Sequence, residues 1–156
     1  MDSRCLVIDE WLFHYLGGEA GPEAIDQAIR LLMAIYTRCD RIAWQPGTPW
    51  AQKAFRLLSS RQPKSRLASK LLHRLLWDSA KSVIFTPRTS KMHVPWMDQI
   101  PEEDRYLAAL YLEAEADALI TTDEKLLSRI REAQAPIRAF SLQEWISLYF
   151  SGSQSR

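Results

Sequence analysis

Short apolar segments alternate with helical segments along the chain, and this alternation is the feature that most restricts its fold. Each apolar segment is three or four residues long, and amphipathic stretches with helical spacing separate them. A strand–helix–strand order makes consecutive strands parallel, with helices covering both faces of the sheet. The sequence therefore predicts an α/β fold, a single domain with a doubly wound parallel sheet of about five short strands. The predicted strands are residues 5–8, 41–44, 82–85, 118–120 and 137–140.

The segments between the strands carry helix signals. Helices are predicted at 11–16, from Pro22 onward, at 50–60, 65–79, 101–115 and 124–133, and after residue 141. Ser141 is expected to cap the last helix together with Glu144, three residues later. In the 65–79 helix, Leu67 and four other leucines are expected to face inward. Residues 86–100 form the longest irregular stretch, and the domain is predicted to span 1–150, followed by a disordered tail at 151–156.

Composition excludes several classes of protein. The 156 residues are 47% hydrophobic and 25% charged, as in ordinary globular domains. The longest apolar runs, such as residues 31–36, are far shorter than the roughly 20 residues of a membrane helix. Cys5 and Cys39 lack metal-ligand spacing, and no signal-peptide pattern precedes the first strand, so we expect a cytoplasmic protein with reduced cysteines. Glycine-rich phosphate-binding motifs are missing, which disfavours enzymes with nucleotide cofactors.

Charge is strongly segregated although the formal net charge is only +1. Residues 50–93 contain ten Lys or Arg and one acid, whereas residues 98–124 contain nine Asp or Glu and one base. A basic surface beside an acidic pocket suits a metal-dependent enzyme that acts on a polyanion, because the bases hold phosphates and the acids hold the cation. The alternative is two solvated helix faces of opposite sign.

Three aspartates are expected to converge at one edge of the sheet. Asp9 directly follows the first strand, Asp123 follows the fourth after two threonines, and Asp104 begins the helix that leads into the fourth strand. Ligands of such sheets bind beyond the carboxyl ends of the strands. Carboxylates brought together there repel each other unless a cation neutralises them, and hard oxygen ligands favour Mg²⁺ or Mn²⁺. The alternative is that each aspartate caps a helix.

The residues of these segments carry a family resemblance. The block at 101–127, PEEDRYLAALYLEAEADALITTDEKLL, resembles the PIN domain, a nuclease fold found in many toxin–antitoxin toxins and RNA-processing enzymes. The opening CLVIDEWLFHYL and the final IRAFS with its following helix resemble the first and last parts of that fold. The resemblance is patchy, but it extends over nearly the whole chain in the correct order.

The resemblance implies a Mg²⁺- or Mn²⁺-dependent endoribonuclease, the toxin of a toxin–antitoxin pair or a processing enzyme, that forms a homodimer. It makes Asp9, Asp104 and Asp123 metal ligands in catalysis and Thr121 their hydrogen-bond partner. The chain departs from the family at the fourth acid, where Gln52 stands near the position of the usual Glu. This departure implies a weaker metal site, a substitute acid such as Asp98 or Glu103, or lost catalysis.

Five bases are the candidate contacts to the RNA backbone, which they would hold without reading its sequence. They are Lys53, Arg56, Arg66, Lys70 and Arg74, of which the last three are spaced four apart and form one ridge of a helix. An acidic protein surface, such as that of an antitoxin, would suit this ridge equally well. Tryptophans 44, 50 and 96 are candidates either for stacking on unpaired bases or for packing in the core. The three histidines lack ligand spacing and receive no role.

Two other functions compete with a nuclease. The first is a catalytically degenerate PIN-like module that binds RNA or a protein partner, which the missing Glu would favour. The second is a receiver-type signalling domain with a phosphorylated Asp9. A receiver domain requires a lysine after the last strand, and no lysine follows Ile137. The receiver interpretation is therefore disfavoured.

Overall fold

A five-stranded, fully parallel sheet forms the centre of the protein. The computed structural model describes residues 3–61, 66–85 and 94–151. The strands are β1 (Cys5–Ile8), β2 (Arg41–Trp44), β3 (Ser82–Ile84), β4 (Ala118–Thr121) and β5 (Ala139–Ser141), and they lie in the order β3-β2-β1-β4-β5. All five predicted strands are confirmed. The main boundary error is at β5, which begins two residues later than predicted.

Seven α-helices connect and cover the strands within the described residues. They are α1 (Trp11–Leu16), α2 (Pro22–Thr37), α3 (Pro49–Leu58), α4 (Arg66–Trp77), α5 (Arg105–Glu113), α6 (Glu124–Glu132) and α7 (Leu142–Ser151). The segment predicted as one helix from residue 101 instead begins with a 3₁₀ turn at Glu102–Asp104, and α5 follows it. The expected cap of α7 is present, since the Glu144 N–H donates to Ser141 Oγ at 3.1 Å.

Alternate side chains of β1 enter two different cores, which confirms helices on both faces of the sheet. Leu6 and Ile8 pack with α1, α2, α3, α4 and α7, whereas Cys5 and Val7 pack with α5 and α6. Such an alternation follows from the two-residue period of a strand. A β1 that is buried on both faces fixes its carboxyl end between two helical layers.

The connections reverse direction at β1. The chain moves from β1 through β2 to β3 on one side of the sheet, and β4 and β5 then add on the other side of β1. At such a switch point the helices that leave neighbouring strands diverge, and a crevice opens beyond the carboxyl ends of those strands. In this protein the crevice lies beyond β1 and β4.

One prediction about α4 is wrong, and two predicted segments lie partly or wholly outside the described residues. Leu67 was expected to face inward on α4, but it is 63% exposed and the prediction is wrong. It lies in the first turn of α4, where its neighbours at 62–65 are outside the described residues. Residues 86–93 of the irregular stretch and 152–156 of the predicted tail are outside them as well. Among the described helices, none is long and apolar enough to span a membrane.

Candidate functional site

The crevice beyond β1 and β4 is held together by backbone and indole hydrogen bonds. Asp9 follows β1, and its N–H donates to the Ile120 carbonyl of β4 at 3.0 Å. The Trp11 indole nitrogen donates to the same carbonyl at 3.0 Å from the first turn of α1. These bonds fix the chain directly after β1 against the end of β4, so the side chains at both strand ends have fixed positions.

Thr121, the last residue of β4, connects two of the predicted acids. Its fully buried hydroxyl donates to Asp9 Oδ2 at 2.6 Å and accepts from the Asp123 N–H at 3.0 Å. Asp9 Oδ1 accepts from the Glu10 N–H at 2.6 Å. Both oxygens of Asp9 therefore have donors, which fixes the orientation of this carboxylate.

Asp123 is the N-cap of α6. Its Oδ1 accepts from the N–H groups of Lys125 and Leu126, at 2.9 and 3.2 Å. Asp123 therefore caps α6, as the alternative interpretation expected. Capping leaves room for a second role, because Oδ1 alone makes both capping bonds and Asp123 also lines the crevice with Asp9 and Asp104.

Asp104 is the most electrostatically strained acid of the site. It lies at the N-terminus of α5, is only 8% exposed, and its carboxyl group accepts no hydrogen bond from a described residue, not even as a helix cap. Burial, followed by the negative charges of Asp9, Asp123, Glu103 and Glu10, raises the pKa of Asp104 to about 7. A carboxyl group without donors among other carboxylates is stabilised by a cation.

The pKa of Asp9 is also raised, but hydrogen bonds to its carboxylate oppose the rise. Burial raises the pKa of Asp9, and the hydrogen bonds from Thr121 and the Glu10 N–H oppose this effect. The charges of Glu10 and Asp123 raise the pKa of Asp9 further. The three predicted acids thus lie within electrostatic reach of one another, as expected from the strand order.

Glu10 is a fourth acid of this crevice that sequence reasoning did not assign. Its Oε2 accepts from the Tyr106 hydroxyl of α5 at 2.7 Å, and its Oε1 pairs with Lys53 Nζ of α3 at 2.7 Å. Burial and the bond to Glu10 raise the pKa of Tyr106, so this phenol stays protonated. The available signal was its position directly after Asp9, at the end of the first strand.

The crevice is shallow, and most of its lining residues carry side-chain oxygens that could coordinate a metal ion. Its lining residues are Asp9, Glu10, Trp11, His14, Lys53, Asp104, Thr122 and Asp123. Within the described ranges, no three carboxylate, imidazole or thiol groups are placed close enough together to hold a metal ion as they stand. The chemistry of the donor set nevertheless fits Mg²⁺ or Mn²⁺, since both prefer carboxylate oxygens and water. A cation would also cancel the repulsion that raises the pKa of Asp104.

The structure brings neither Gln52, which stands near the position of the missing Glu, nor the proposed substitute acids Asp98 and Glu103 into the crevice. Gln52 is an exposed residue of α3 and is not among the lining residues, and the neighbouring Lys53 reaches the crevice instead. Asp98 and Glu103 line a separate pocket with Arg105 and Lys125 of the helical layer. Of Gln52, Asp98 and Glu103, Glu103 alone contributes to the raised pKa of Asp104, through its negative charge.

Four of the five predicted phosphate-binding residues divide between two grooves. Lys53 and Arg56 line a groove of about 490 Å³ that adjoins the crevice. Lys70 and Arg74 line a second groove between α3 and α4, with Leu58, Ser69 and His73. Ser69 Oγ donates to the Leu57 carbonyl at 3.2 Å and holds the two helices together. Arg66 is exposed on α4 and lines neither groove.

The three candidate tryptophans pack in or against the core. Trp44 and Trp50 are 5% and 3% exposed and stack with ring centroids 6.2 Å apart. Packing is therefore the correct alternative for these two, and stacking on a nucleic-acid base is excluded. Trp96 is half-buried against the α5 and α6 core.

Comparison with known proteins adds nothing to these observations, since no protein-family model matches this chain and no curated protein matches it significantly.

Proposed function

We propose that this protein is a metal-dependent nuclease of the PIN type that hydrolyses phosphodiester bonds in single-stranded RNA. The observation that carries the proposal is Asp104, a residue only 8% exposed whose carboxyl group accepts no hydrogen bond from any described residue, placed among Asp9, Glu10 and Asp123 at the switch point of the sheet. A fold does not retain such repulsion for stability, because each buried carboxylate costs free energy when it ionises. A bound divalent cation would offset this cost by neutralising the negative charges of the carboxylates.

The carboxylates have separate tasks in this proposal. Asp9, Asp104 and Asp123 hold Mg²⁺ or Mn²⁺, and Thr121 keeps Asp9 in its orientation through the 2.6 Å bond. Glu10 supplies the fourth carboxylate in place of the acid that the chain lacks on α3. A bound divalent cation supplies activation of the attacking water and stabilisation of the charge that develops on the phosphate.

The basic residues guide the substrate toward the carboxylates. Lys53 and Arg56 line the groove next to the crevice, and Lys70 and Arg74 extend positive charge to the α4 side. An exposed basic groove holds a backbone of phosphates and attracts polyanions at a distance. A cytoplasmic location, a homodimer and, for a toxin, an antitoxin partner complete the proposal.

Calorimetric titration with Mn²⁺ tests the metal site directly. We expect one binding event for the wild-type protein and its loss in Asp123→Asn, which keeps an oxygen that can cap α6. Asp26→Asn is the matched control, because this exposed aspartate of α2 undergoes the same chemical change away from the crevice. Absence of binding to the folded wild-type protein at millimolar Mn²⁺ would refute the metal site.

Cleavage of a labelled single-stranded RNA tests the reaction. We expect products with Mg²⁺, none with excess EDTA, and none for Asp9→Asn. A DNA strand of the same sequence, assayed in parallel, determines which nucleic acid is the substrate. Metal binding without cleavage of either strand would refute the nuclease.

A second candidate function is supported by the Lys53–Glu10 ion pair. A lysine placed among the carboxylates partly neutralises them, as expected of a module that binds RNA or a protein without a metal. Lys53→Met separates the two functions. In a nuclease this change raises Mn²⁺ affinity, because it removes a competing positive charge, while it lowers RNA affinity. In a binding module it lowers RNA affinity and creates no metal binding.

A further inference from the structure

His14 lies where the crevice meets the adjoining groove that Lys53 and Arg56 line. It belongs to α1 and follows Glu10 by four residues, so both side chains lie on the same face of this helical turn. Among the described residues, the crevice and the adjoining groove share three lining residues, namely Glu10, His14 and Lys53. A substrate that runs from the groove to the carboxylates would therefore pass this imidazole.

Glu19 holds the ring of His14 from the turn that ends α1. The N–H groups of Gly17 and Gly18 donate to carbonyls of α1, and Gly18 has a φ of +85°, which reverses the chain direction. The reversal brings Glu19 Oε2 to 2.6 Å from His14 Nδ1. A carboxylate at this distance makes Nδ1 the protonated nitrogen and leaves Nε2 to exchange protons with another partner.

We propose that His14, positioned by Glu19, is the general acid that protonates the leaving oxygen during phosphodiester cleavage. This inference rests on the nuclease function proposed above. In the reaction, water adds to phosphorus and gives up a proton to the solvent, from which His14 regains its proton after the reaction, and the bond from phosphorus to the leaving oxygen breaks. That oxygen keeps the bonding electron pair and takes the proton from Nε2 of the imidazolium. The products are a phosphate monoester and a hydroxyl group, and His14 is left neutral.

The other groups of the crevice are less suited to donate this proton. Asp9, Asp104 and Asp123 must be ionised to hold a cation. Tyr106 already donates its hydroxyl to Glu10, and burial raises the pKa of this phenol. Imidazole is the side chain that ordinarily exchanges protons near neutral pH, and Nε2 of His14 makes no hydrogen bond to a described residue. A purely structural role explains the pair poorly, because an ion pair whose two side chains are exposed to water contributes little to stability.

Two substrates that differ only in the leaving group test the proposal. One is a short single-stranded RNA, whose leaving alkoxide needs a proton. The other is the p-nitrophenyl ester of thymidine 5′-phosphate, whose p-nitrophenolate leaves without one. For His14→Gln with saturating Mg²⁺, we expect RNA cleavage to fall by about 100-fold and ester hydrolysis to stay within about 3-fold of wild type.

Two further variants support the comparison. Glu19→Gln is expected to lower RNA cleavage by about 10-fold with little effect on the ester, because it releases the ring without removing the acid. Glu23→Gln, the same change at an exposed residue of α2, should leave both reactions unchanged. Mn²⁺ titration of His14→Gln should give the wild-type affinity.

The remaining outcomes separate the two proposals. Equal losses on both substrates would overturn the general acid and indicate that His14 binds substrate. Unchanged RNA cleavage would overturn it as well, and loss of Mn²⁺ binding would make His14 a metal ligand instead. A wild-type protein that hydrolyses neither substrate would refute the nuclease function itself, and with it this inference.

Discussion

Replacing Asp104 by asparagine should stabilise the metal-free protein at neutral and alkaline pH. Asparagine has nearly the same shape as aspartate and stays neutral at every pH. The change therefore removes the repulsion from Asp9, Asp123 and Glu10 and leaves the packing at the start of α5 in place. An increase in stability on this substitution would show that repulsion among the carboxylates of the site destabilises the folded, metal-free protein.

The size and sign follow from the pKa of Asp104. The folded protein raises this pKa from 3.8 to about 7, and each pKa unit corresponds to about 1.4 kcal/mol. Below pH 3.8 the group is protonated in both states. As the pH rises toward 7, the unfolded chain releases a proton that the folded protein retains, so the free energy of unfolding falls. The full difference is about 4 kcal/mol, and relaxation of the crevice toward water reduces the expected value to about 2 kcal/mol.

Urea denaturation in EDTA, followed by tryptophan fluorescence, measures this effect. Asp104→Asn should exceed the wild type by about 2 kcal/mol at pH 8 and by much less at pH 4.5. Asp26→Asn should show no such pH dependence. Added Mn²⁺ should stabilise the wild type and reduce the gap. A variant that is less stable at pH 8, or a difference that is the same at both pH values, would refute the reasoning.

The other predictions concern the cap of α6, a buried hydrogen bond of α7, and the basic residues Lys70 and Arg74 of α4. Asp123→Ala should lose about 1 kcal/mol of stability with its cap of α6, whereas Asp123→Asn should not, and both should lose Mn²⁺ binding by calorimetry; a stable alanine variant would contradict the capping role. Tyr149→Phe removes the hydroxyl that donates to the buried Asp40, so urea denaturation should show a loss of about 1–3 kcal/mol without a change in Mn²⁺ affinity. Lys70→Gln with Arg74→Gln should lower the slope of log RNA affinity against log salt by about 1.4, and an unchanged slope would exclude the α4 ridge from the interface.

Much of the fold was predictable because it depends on local patterns. A short apolar run such as Cys5–Ile8, or residues 42–44, is typical of a strand buried on both faces, and proline and glycine limit the helices between such runs. The parallel order then follows, and with it the convergence of Asp9 and Asp123 at one edge. The sequence also determined the cap of α7, since capping involves residues three apart.

The composition of the crevice was decided by tertiary structure. Which residue of α3 reaches the carboxylates depends on the rotation of that helix against the sheet, and Lys53 reaches them where Gln52 stays exposed. The same packing buries Trp44 and Trp50, and the turn after α1 places Glu19 against His14. Local periodicity tells which residues share a face, but the angle at which two faces meet depends on how whole side chains fill the space between them. The position of Asp9 and Asp123 at one sheet edge could therefore be predicted from the sequence, whereas the side chains that surround them depend on how the helices pack against the sheet.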